Sequence, residues 1–232
     1  MSISAEGVAH HLITTKNKNM KFEHYTDQIR QWPQDGRHLL AHYDDESIVV
    51  YQAYRPSIAE YAVTHQRFGG DFSFGRMSWI KPNFLWMMFR AGWATKEGQE
   101  RILAISIRRT FFERVLARAV ASSFVASGYS DEATWKRAIE SSDVRLQWDP
   151  DHDPFGQSVA RRAVQLGLRG EILAEYGTTA ITGIEDITEF VREQHGNVAG
   201  DCRALITPRE RVYVPGDTAA RNLGIGSWPP PQ

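Results

Sequence analysis

The sequence has one cysteine, Cys202, among 232 residues. A single cysteine excludes an internal disulfide framework and any zinc site built from several cysteines. The histidines show no H-E-x-x-H spacing, and the acidic run DPDHDP at residues 149–154 lacks the glycine and glutamate that an EF-hand loop requires at its sixth and twelfth positions. We therefore predict no metal site in this chain.

Long apolar runs are also absent. No stretch of about 18 apolar residues, the length of a membrane-spanning helix, occurs in the sequence. The N-terminal residues lack the apolar segment of a secretory signal, so we expect a cytoplasmic protein without a membrane partner. The formal net charge is -1, which argues against a non-specific nucleic-acid binder but leaves room for a local basic pocket.

Common catalytic and nucleotide-binding signatures are missing as well. The chain has no G-x-G-x-x-G, no P-loop and no G-x-S-x-G motif. The sequence therefore does not indicate a Rossmann domain, a P-loop domain or the nucleophile elbow of an α/β-hydrolase. No pair of carboxylates lies in an apolar setting of the kind that glycosidases use. Any activity must therefore be inferred from other residues.

Hydrophobic residues make up 42% of the chain, enough for a full-sized core. The patterns predict strands at 47–54, 77–80, 101–108 and 144–148, and helices at 57–65, 82–93, 111–126, 131–141 and 184–194. Residues 158–168 fit either a strand or a helix. This mixture, without a regular βαβ period, predicts a single α+β domain over residues 23–206, with a mixed or antiparallel sheet flanked by helices. Residues 1–22 are expected to form a flexible arm, and residues 207–232 an extended tail rich in proline and glycine.

The most informative segment is RMSWIKPNFLWMMFRAGW at residues 76–93. Pro82 keeps Lys81 out of helical geometry and suits the first turn of the apolar helix that follows. Arg76, Trp79 and Lys81 therefore belong to an extended lead-in, whereas Trp86 lies in a buried helix. Because an unpaired buried cation is costly, these cations must reach water, a carboxylate or a bound anion.

This block, together with YQAY at 51–54, ILAISIRR at 102–109, QWDP at 147–150 and RRAVQLGLRG at 161–170, resembles the bacterial and fungal family known as domain of unknown function 4291. The resemblance covers roughly residues 27–192 and implies no particular chemistry. The chain has Ser78 and Asn83 where the family pattern has threonine and serine, and Asp151 and His152 where it usually has Glu-Arg. The order of strands and helices is also loosely similar to that of ADP-ribosyltransferases, which bind NAD in a cleft of a split sheet.

Aromatic and basic side chains form the predicted binding site. Aromatic rings can stack on a planar ligand, and arginine and lysine can hold its phosphates. The predicted ligand-binding residues are Tyr51, Gln52, Tyr54, Arg76, Trp79, Lys81, Arg90, Trp93 and Arg162. The similarity to ADP-ribosyltransferases implies a late glutamate or glutamine as the catalytic group, for which Gln147 and Gln165 are the candidates.

These residues favour a nucleotide-handling enzyme, with NAD or another nucleotide as cofactor or substrate. A non-enzymatic module that binds RNA or a nucleotide is the main alternative, because stacking aromatics and cations also serve single-stranded RNA. An enzyme that modifies a small planar anion remains a third interpretation. The sequence leaves the reaction, the substrate and the oligomeric state open.

Overall fold

The computed structural model describes residues 20–225, 228 and 229. The strands in this part of the chain are β1 (Phe22–His24), β2 (Gly36–Arg37), β3 (Leu39–Ala41), β4 (Ser47–Tyr54), β5 (Ser78–Ile80), β6 (Arg101–Arg108), β7 (Val120–Ala121), β8 (Val144–His152), β9 (Ser158–Leu168), β10 (Ile181–Asp186), β11 (Ile206–Pro208) and β12 (Arg211–Tyr213). The helices are α1 (Tyr25–Gln28), α2 (Pro56–His65), α3 (Phe84–Ala91), α4 (Arg109–Arg118), α5 (Glu132–Ser141), α6 (Gly170–Gly177), α7 (Thr188–Gly196) and α8 (Asp217–Leu223). The predicted α+β class is confirmed, and the elements pack as one compact domain.

The first sheet has the strand order β10-β6-β4, and both pairings are antiparallel. Its central strand β6 is buried on both faces. Leu103 and Ile105 belong to one hydrophobic core cluster, whereas Ile102 and Ala104 belong to a second cluster on the opposite face. Alternate side chains of a strand point to opposite faces, so the near-continuous apolar run of this strand reflects a sheet placed between two cores.

The second sheet is mixed and has the order β2-β9-β8-β7, with β5 pairing the C-terminal half of β9. The β8–β9 pair is antiparallel, whereas β2 runs parallel to β9 and β7 parallel to β8. Residues 158–168, which the sequence left undecided, form β9. The predicted strand at 144–148 continues to His152 because β8 stays paired with β9 beyond Pro150.

The two larger sheets meet at one bridge between Tyr51 and Lys81. The Tyr51 amide donates a hydrogen bond of 2.7 Å to the Lys81 carbonyl oxygen. Beyond this point the C-terminal end of β4 and the N-terminal end of β5 are linked by side chains rather than by a backbone ladder. A cleft opens where the two sheets separate.

Several predicted helix boundaries are wrong. The helix expected at 82–93 spans Phe84–Ala91, because the Asn83 side chain caps it by accepting a hydrogen bond from Trp86 N at 2.7 Å. The helix expected at 111–126 ends at Arg118 and is followed by β7. The segment predicted as a helix from residue 184 contains the end of strand β10, and α7 begins at Thr188.

The segment from residue 207, predicted to be an extended tail, forms two strands and a helix instead. Strand β11 pairs with β1, β12 pairs with β3, and α8 packs against the core through Ala219 and Leu223. Local composition rich in proline and glycine suggested a tail, but these long-range pairings order the segment to residue 225. Phe22, at the end of the expected N-terminal arm, opens β1, and residues 1–19 of that arm lie outside the described residues.

Within the described part of the chain, no helix is long and apolar enough to cross a membrane.

Candidate functional site

A cavity of about 430 Å³ lies in the cleft between the two sheets. This volume lies in the usual range for small-molecule sites, about 300 to 1,000 Å³. Its wall is formed by the end of β4, the start of α2, the loop at residues 71–77, strand β5, helix α3 and the loop at residues 98–99. The lining residues are Gln52, Ala53, Tyr54, Arg55, Ile58, Asp71, Phe72, Ser73, Arg76, Met77, Ser78, Trp79, Lys81, Met87, Arg90, Gly98 and Gln99.

Cations dominate this wall. Arg76, Lys81 and Arg90 all line it, and none of their side chains forms an ion pair or donates a hydrogen bond within the described residues. The one carboxylate in the wall, Asp71, is already neutralised by Arg55 at 3.0 Å. Three cations therefore face one concave space, and none of them is held in an ion pair within the described residues.

Lys81 is the most unusual of the three, because only 6% of the residue is exposed. Burial is the main reason that the pKa of Lys81 is lowered from 10.5 to about 8, and the Arg90 guanidinium lowers it further while Asp149 acts in the opposite direction. Pro82 follows directly, and the Lys81 carbonyl is tied to the Tyr51 amide. The backbone that presents this amine is therefore fixed by the junction of the two sheets.

Asp149 is held by two amide side chains on the β8–β9 surface. Gln147 donates a hydrogen bond to one carboxylate oxygen at 2.8 Å, and Gln165 donates to the other at 2.7 Å. Gln147 and Gln165 are directly opposite each other in the β8–β9 register, which explains this arrangement. Neither amide lines the cavity, so in this structure the two predicted catalytic candidates position Asp149 beside it.

Gln52 lines the cavity, and its side-chain amide connects β4 to β5 and to helix α6. Its Nε2 donates to Ser78 Oγ at 2.8 Å and to the Trp79 carbonyl at 3.0 Å, and its Oε1 accepts from Tyr176 Oη at 2.6 Å. Tyr54 Oη lies 3.2 Å from the same Ser78 hydroxyl. These side-chain hydrogen bonds link β4 to β5 where no backbone ladder does. The polar atoms of Gln52 are therefore already hydrogen-bonded within the protein.

Trp79 supplies the aromatic surface that the sequence predicted. It lies on β5 opposite Gly167 of β9. A Cβ atom at Gly167 would lie 2.6 Å from Met77 Sδ and 3.1 Å from Trp79 Cε2. The absence of a side chain at residue 167 thus makes room for Met77 and Trp79, both of which form part of the cavity wall.

Three predicted binding residues lie away from this cavity. Tyr51 is fully buried and packs edge-on against Phe84, with ring centroids 5.5 Å apart. Trp93 stacks on His195 in the second core cluster, with centroids 5.3 Å apart. Arg162 lines a separate cavity of about 200 Å³.

Arg162 and its neighbour Arg161 have different surroundings. Arg161 is buried and forms an ion pair with Asp151 at 2.6 Å, whereas Arg162 is exposed beside Arg37 of the parallel strand β2. Adjacent strand residues point to opposite faces, which separates the two side chains. Neither Arg161 nor Arg162 lines the cavity between the two sheets.

The structure adds wall residues that the sequence reasoning missed. Asp71, Phe72 and Ser73 come from the loop that follows α2, and Gln99 comes from the loop that precedes β6. The only local signal for the first loop is its glycine- and phenylalanine-rich sequence, GGDFSFG at residues 69–75. Among the described residues, no group of three histidine, cysteine, aspartate or glutamate side chains is arranged to hold a metal ion.

Comparison with known families agrees with the resemblance seen in the sequence. A family model described as "Domain of unknown function (DUF4291)" matches residues 38–213, which is more than half of the chain. This range includes every wall residue of the cavity. No curated protein matches the sequence.

Proposed function

The chain belongs to the DUF4291 family, and we propose that it is a nucleotide-handling enzyme whose substrate or cofactor, NAD or another nucleotide, binds in the cleft between the two sheets. The proposal rests on the convergence of Arg76, Lys81 and Arg90 on one cavity, where none of the three forms an ion pair within the described part of the chain.

The charge of the cavity selects an anionic ligand. Four cationic residues and one carboxylate line the wall, and Arg55 already neutralises that carboxylate. Arg76 and Arg90 are exposed and keep their guanidinium groups free. Because a guanidinium offers paired donors that match phosphate oxygens, the two arginines suit a phosphate or diphosphate group.

The remaining wall suits a planar group attached to that phosphate. Trp79 is only partly buried, and its indole forms part of the cavity surface together with Phe72 and Met77. Stacking of a base on an aromatic ring contributes about 1 to 3 kcal/mol. A ligand that combines a planar base with phosphates would use both parts of the site.

The position of the cavity at the separation of two sheets supports a comparison with ADP-ribosyltransferases. In both cases a nucleotide site would lie in the cleft of a split sheet. This similarity is one of architecture, and one architecture can host several reactions. It is the reason that NAD is included among the proposed ligands.

The alternative of an RNA-binding module is less favoured by the geometry. The cations lie around a cavity of about 430 Å³, rather than along an extended basic groove. Single-stranded nucleic acid is usually bound along a positively charged groove, and the binding weakens steeply as salt is raised. A compact cavity suits one nucleotide better than a strand.

Ligand-induced thermal stabilisation tests the proposal. Wild-type protein would be melted with ATP, AMP, NAD and a single-stranded RNA at two salt concentrations. A ligand present at 100 times its dissociation constant stabilises a protein by about 2.7 kcal/mol, which for a chain of this size raises the melting temperature by roughly 5 to 10 °C. We expect this increase with at least one nucleotide.

The matched variants are Arg90→Ala and Arg118→Ala. Arg118 is an exposed arginine on α4 that does not line the cavity. We expect the nucleotide shift to shrink in Arg90→Ala and to persist in Arg118→Ala. No shift with any nucleotide would refute the proposal, and salt-sensitive binding of RNA alone would favour the RNA-binding module.

A further inference from the structure

We propose that Lys81 is a nucleophile that accepts a nucleotidyl group from the ligand of this cavity. This inference rests on the proposed function, because it requires that a nucleotide binds there. It adds a reaction class, nucleotidyl transfer through a covalent lysine intermediate, and a residue that forms the bond.

The Lys81 side chain belongs to the wall of the cavity that would hold the ligand. Lys81 lines the cavity, and its Nζ neither donates a hydrogen bond nor forms an ion pair within the described residues. An ammonium held in a salt bridge would have to break that contact before it could react. No such contact has to be broken at Lys81 within the described residues.

A purely electrostatic role would not require a buried lysine. Arg76 and Arg90 already provide exposed, permanently charged groups at the same cavity. Lys81 is almost fully buried, which penalises its charged form and is unfavourable for a residue that acts only as a cation. Burial of this kind is a common means of activating a lysine as a nucleophile.

The charged and titratable groups around Lys81 are Arg90 from α3 and Asp149 from β8. Burial and Arg90 together lower the pKa of Lys81 to about 8, although Asp149 opposes them. At pH 7 about a tenth of the lysines with such a pKa carry the neutral, nucleophilic amine, compared with well under one in a thousand for an ordinary lysine. The site thus provides reactive amine near neutral pH.

The backbone of Lys81 is also held in place. Its carbonyl oxygen accepts the hydrogen bond from Tyr51 N at 2.7 Å. Pro82, the next residue, restricts the backbone conformation of Lys81 to extended geometry. Nucleophiles placed on rigid elements are positioned more accurately than those on loops. Trp79, two residues earlier on the same extended segment, would hold the base.

The neutral Lys81 amine attacks the α-phosphorus of ATP or NAD and forms a nitrogen–phosphorus bond. The bond from phosphorus to the bridging oxygen breaks, and its electron pair leaves with pyrophosphate from ATP or with nicotinamide mononucleotide from NAD. The attacking nitrogen loses one proton to solvent, and Arg76 and Arg90 would stabilise the charge that develops on the phosphate oxygens.

The experiment uses the full chain with ATP or NAD labelled in the adenylate group, in buffer containing Mg²⁺. After denaturation, intact mass and peptide mapping would locate any covalent adenylate. We expect one adenylate on Lys81, with the acid lability and alkali stability of a phosphoramidate. Arg118→Ala should be labelled like wild type.

Lys81→Arg separates the chemistry from the binding. It keeps the positive charge, so the nucleotide should still raise the melting temperature, but labelling should be lost. Labelling that persists in Lys81→Arg, or a wild-type protein that is stabilised by the nucleotide yet never labelled, would overturn this inference and leave the proposed function standing. The absence of both stabilisation and labelling would overturn both.

Discussion

The main-chain carbonyl of Lys81 accepts a hydrogen bond from the Tyr51 amide at 2.7 Å, and this contact joins the two larger sheets. Tyr51 is fully buried in a hydrophobic core, whereas the Lys81 side chain lines the cavity. The position of the cavity lysine is thereby coupled to the packing of the core. Loss of this contact would allow both the cleft and its amine to move.

Lys81→Met is expected to stabilise the unliganded protein at neutral pH. The pKa of Lys81 falls from 10.5 to about 8 on folding, so the folded state disfavours the ammonium that the unfolded chain retains. This difference destabilises the wild type by up to about 3 kcal/mol at pH 7. Methionine has similar length and no charge to bury.

The pH dependence supplies the check on that prediction. Between pH 8 and 10.5 the unfolded wild type binds more protons at Lys81 than the folded protein does, so wild-type stability rises with pH over this range. The advantage of Lys81→Met should therefore shrink as the pH is raised. Urea denaturation from pH 7 to 10 measures it, and a variant less stable than wild type at pH 7 would contradict the prediction.

Arg76→Ala is expected to weaken nucleotide binding, whereas Arg162→Ala is not. Hydrogen bonds to charged groups contribute about 1.5 to 3 kcal/mol, so the dissociation constant for Arg76→Ala should rise roughly 10- to 100-fold. Arg162 lines a different cavity, although the sequence analysis predicted that it binds the same ligand as Arg76. Calorimetric titration of both variants tests this, and equal losses would show that the ligand spans both cavities.

Gly167→Ala is expected to destabilise the protein and to weaken ligand binding. The new Cβ atom would lie 2.6 Å from Met77 Sδ and 3.1 Å from Trp79 Cε2, so both side chains must move. Overpacking of this kind costs about 1 to 3 kcal/mol. Because both displaced side chains belong to the cavity wall, the nucleotide-induced increase in melting temperature should fall as well.

Gly183→Ala is the matched control for that substitution. Gly183 also lies in a strand, but the nearest atom to its Cβ position is Ser106 Cβ at 4.0 Å. An alanine there should be neutral or slightly stabilising, since it reduces the freedom of the unfolded chain. If both variants lose the same stability, crowding at residue 167 is not the cause.

Glu210→Gln is expected to increase stability above about pH 5. Glu210 is fully buried, and burial raises the pKa of its carboxyl group well above the usual range, although the Phe84 amide, which donates to Oε1 at 2.6 Å, opposes this. The folded wild type therefore binds more protons than the unfolded chain above about pH 4.3, the ordinary pKa of glutamate, and its stability falls as pH rises. Glutamine keeps an acceptor for the Phe84 amide without a charge.

Thermal denaturation of Glu210→Gln and wild type from pH 4 to 8 provides the measurement. The difference in melting temperature should be smallest near pH 4 and should grow with pH. Glu132→Gln, on an exposed helix residue paired with Lys136 at 2.9 Å, serves as the control and should show little change with pH. A loss of stability in Glu210→Gln at pH 8 would indicate that the buried carboxylate is required.

Local sequence patterns were sufficient for the elements that determine the site. The strands at 47–54 and 101–108 were predicted with their observed boundaries, because their β-branched residues alternate between two faces. Pro82 was enough to place Lys81 outside the helix. Because alternate residues of an extended segment share one face, Trp79 and Lys81 are expected on the same side, and both line the cavity.

The positions that could not be predicted from the sequence depend on contacts between distant parts of the chain or on undecided secondary structure. Trp93, which the sequence placed in a helix over residues 82–93, lies beyond the end of α3 with a φ of 53°. Arg162 points to the opposite face of β9 from Gln165, which could not be known while the 158–168 segment was undecided. The C-terminal strands depend on β1 and β3, which are more than 160 residues away along the chain.

A structure of the protein with a bound nucleotide would show whether the cavity between the two sheets is the nucleotide site. Crystals grown with ATP or NAD should show the base against Trp79 and the phosphates within hydrogen-bond distance of Arg76 and Arg90, with the α-phosphorus next to Lys81 Nζ. Nucleotide bound at another surface, with the cavity between the two sheets empty, would contradict the proposed function.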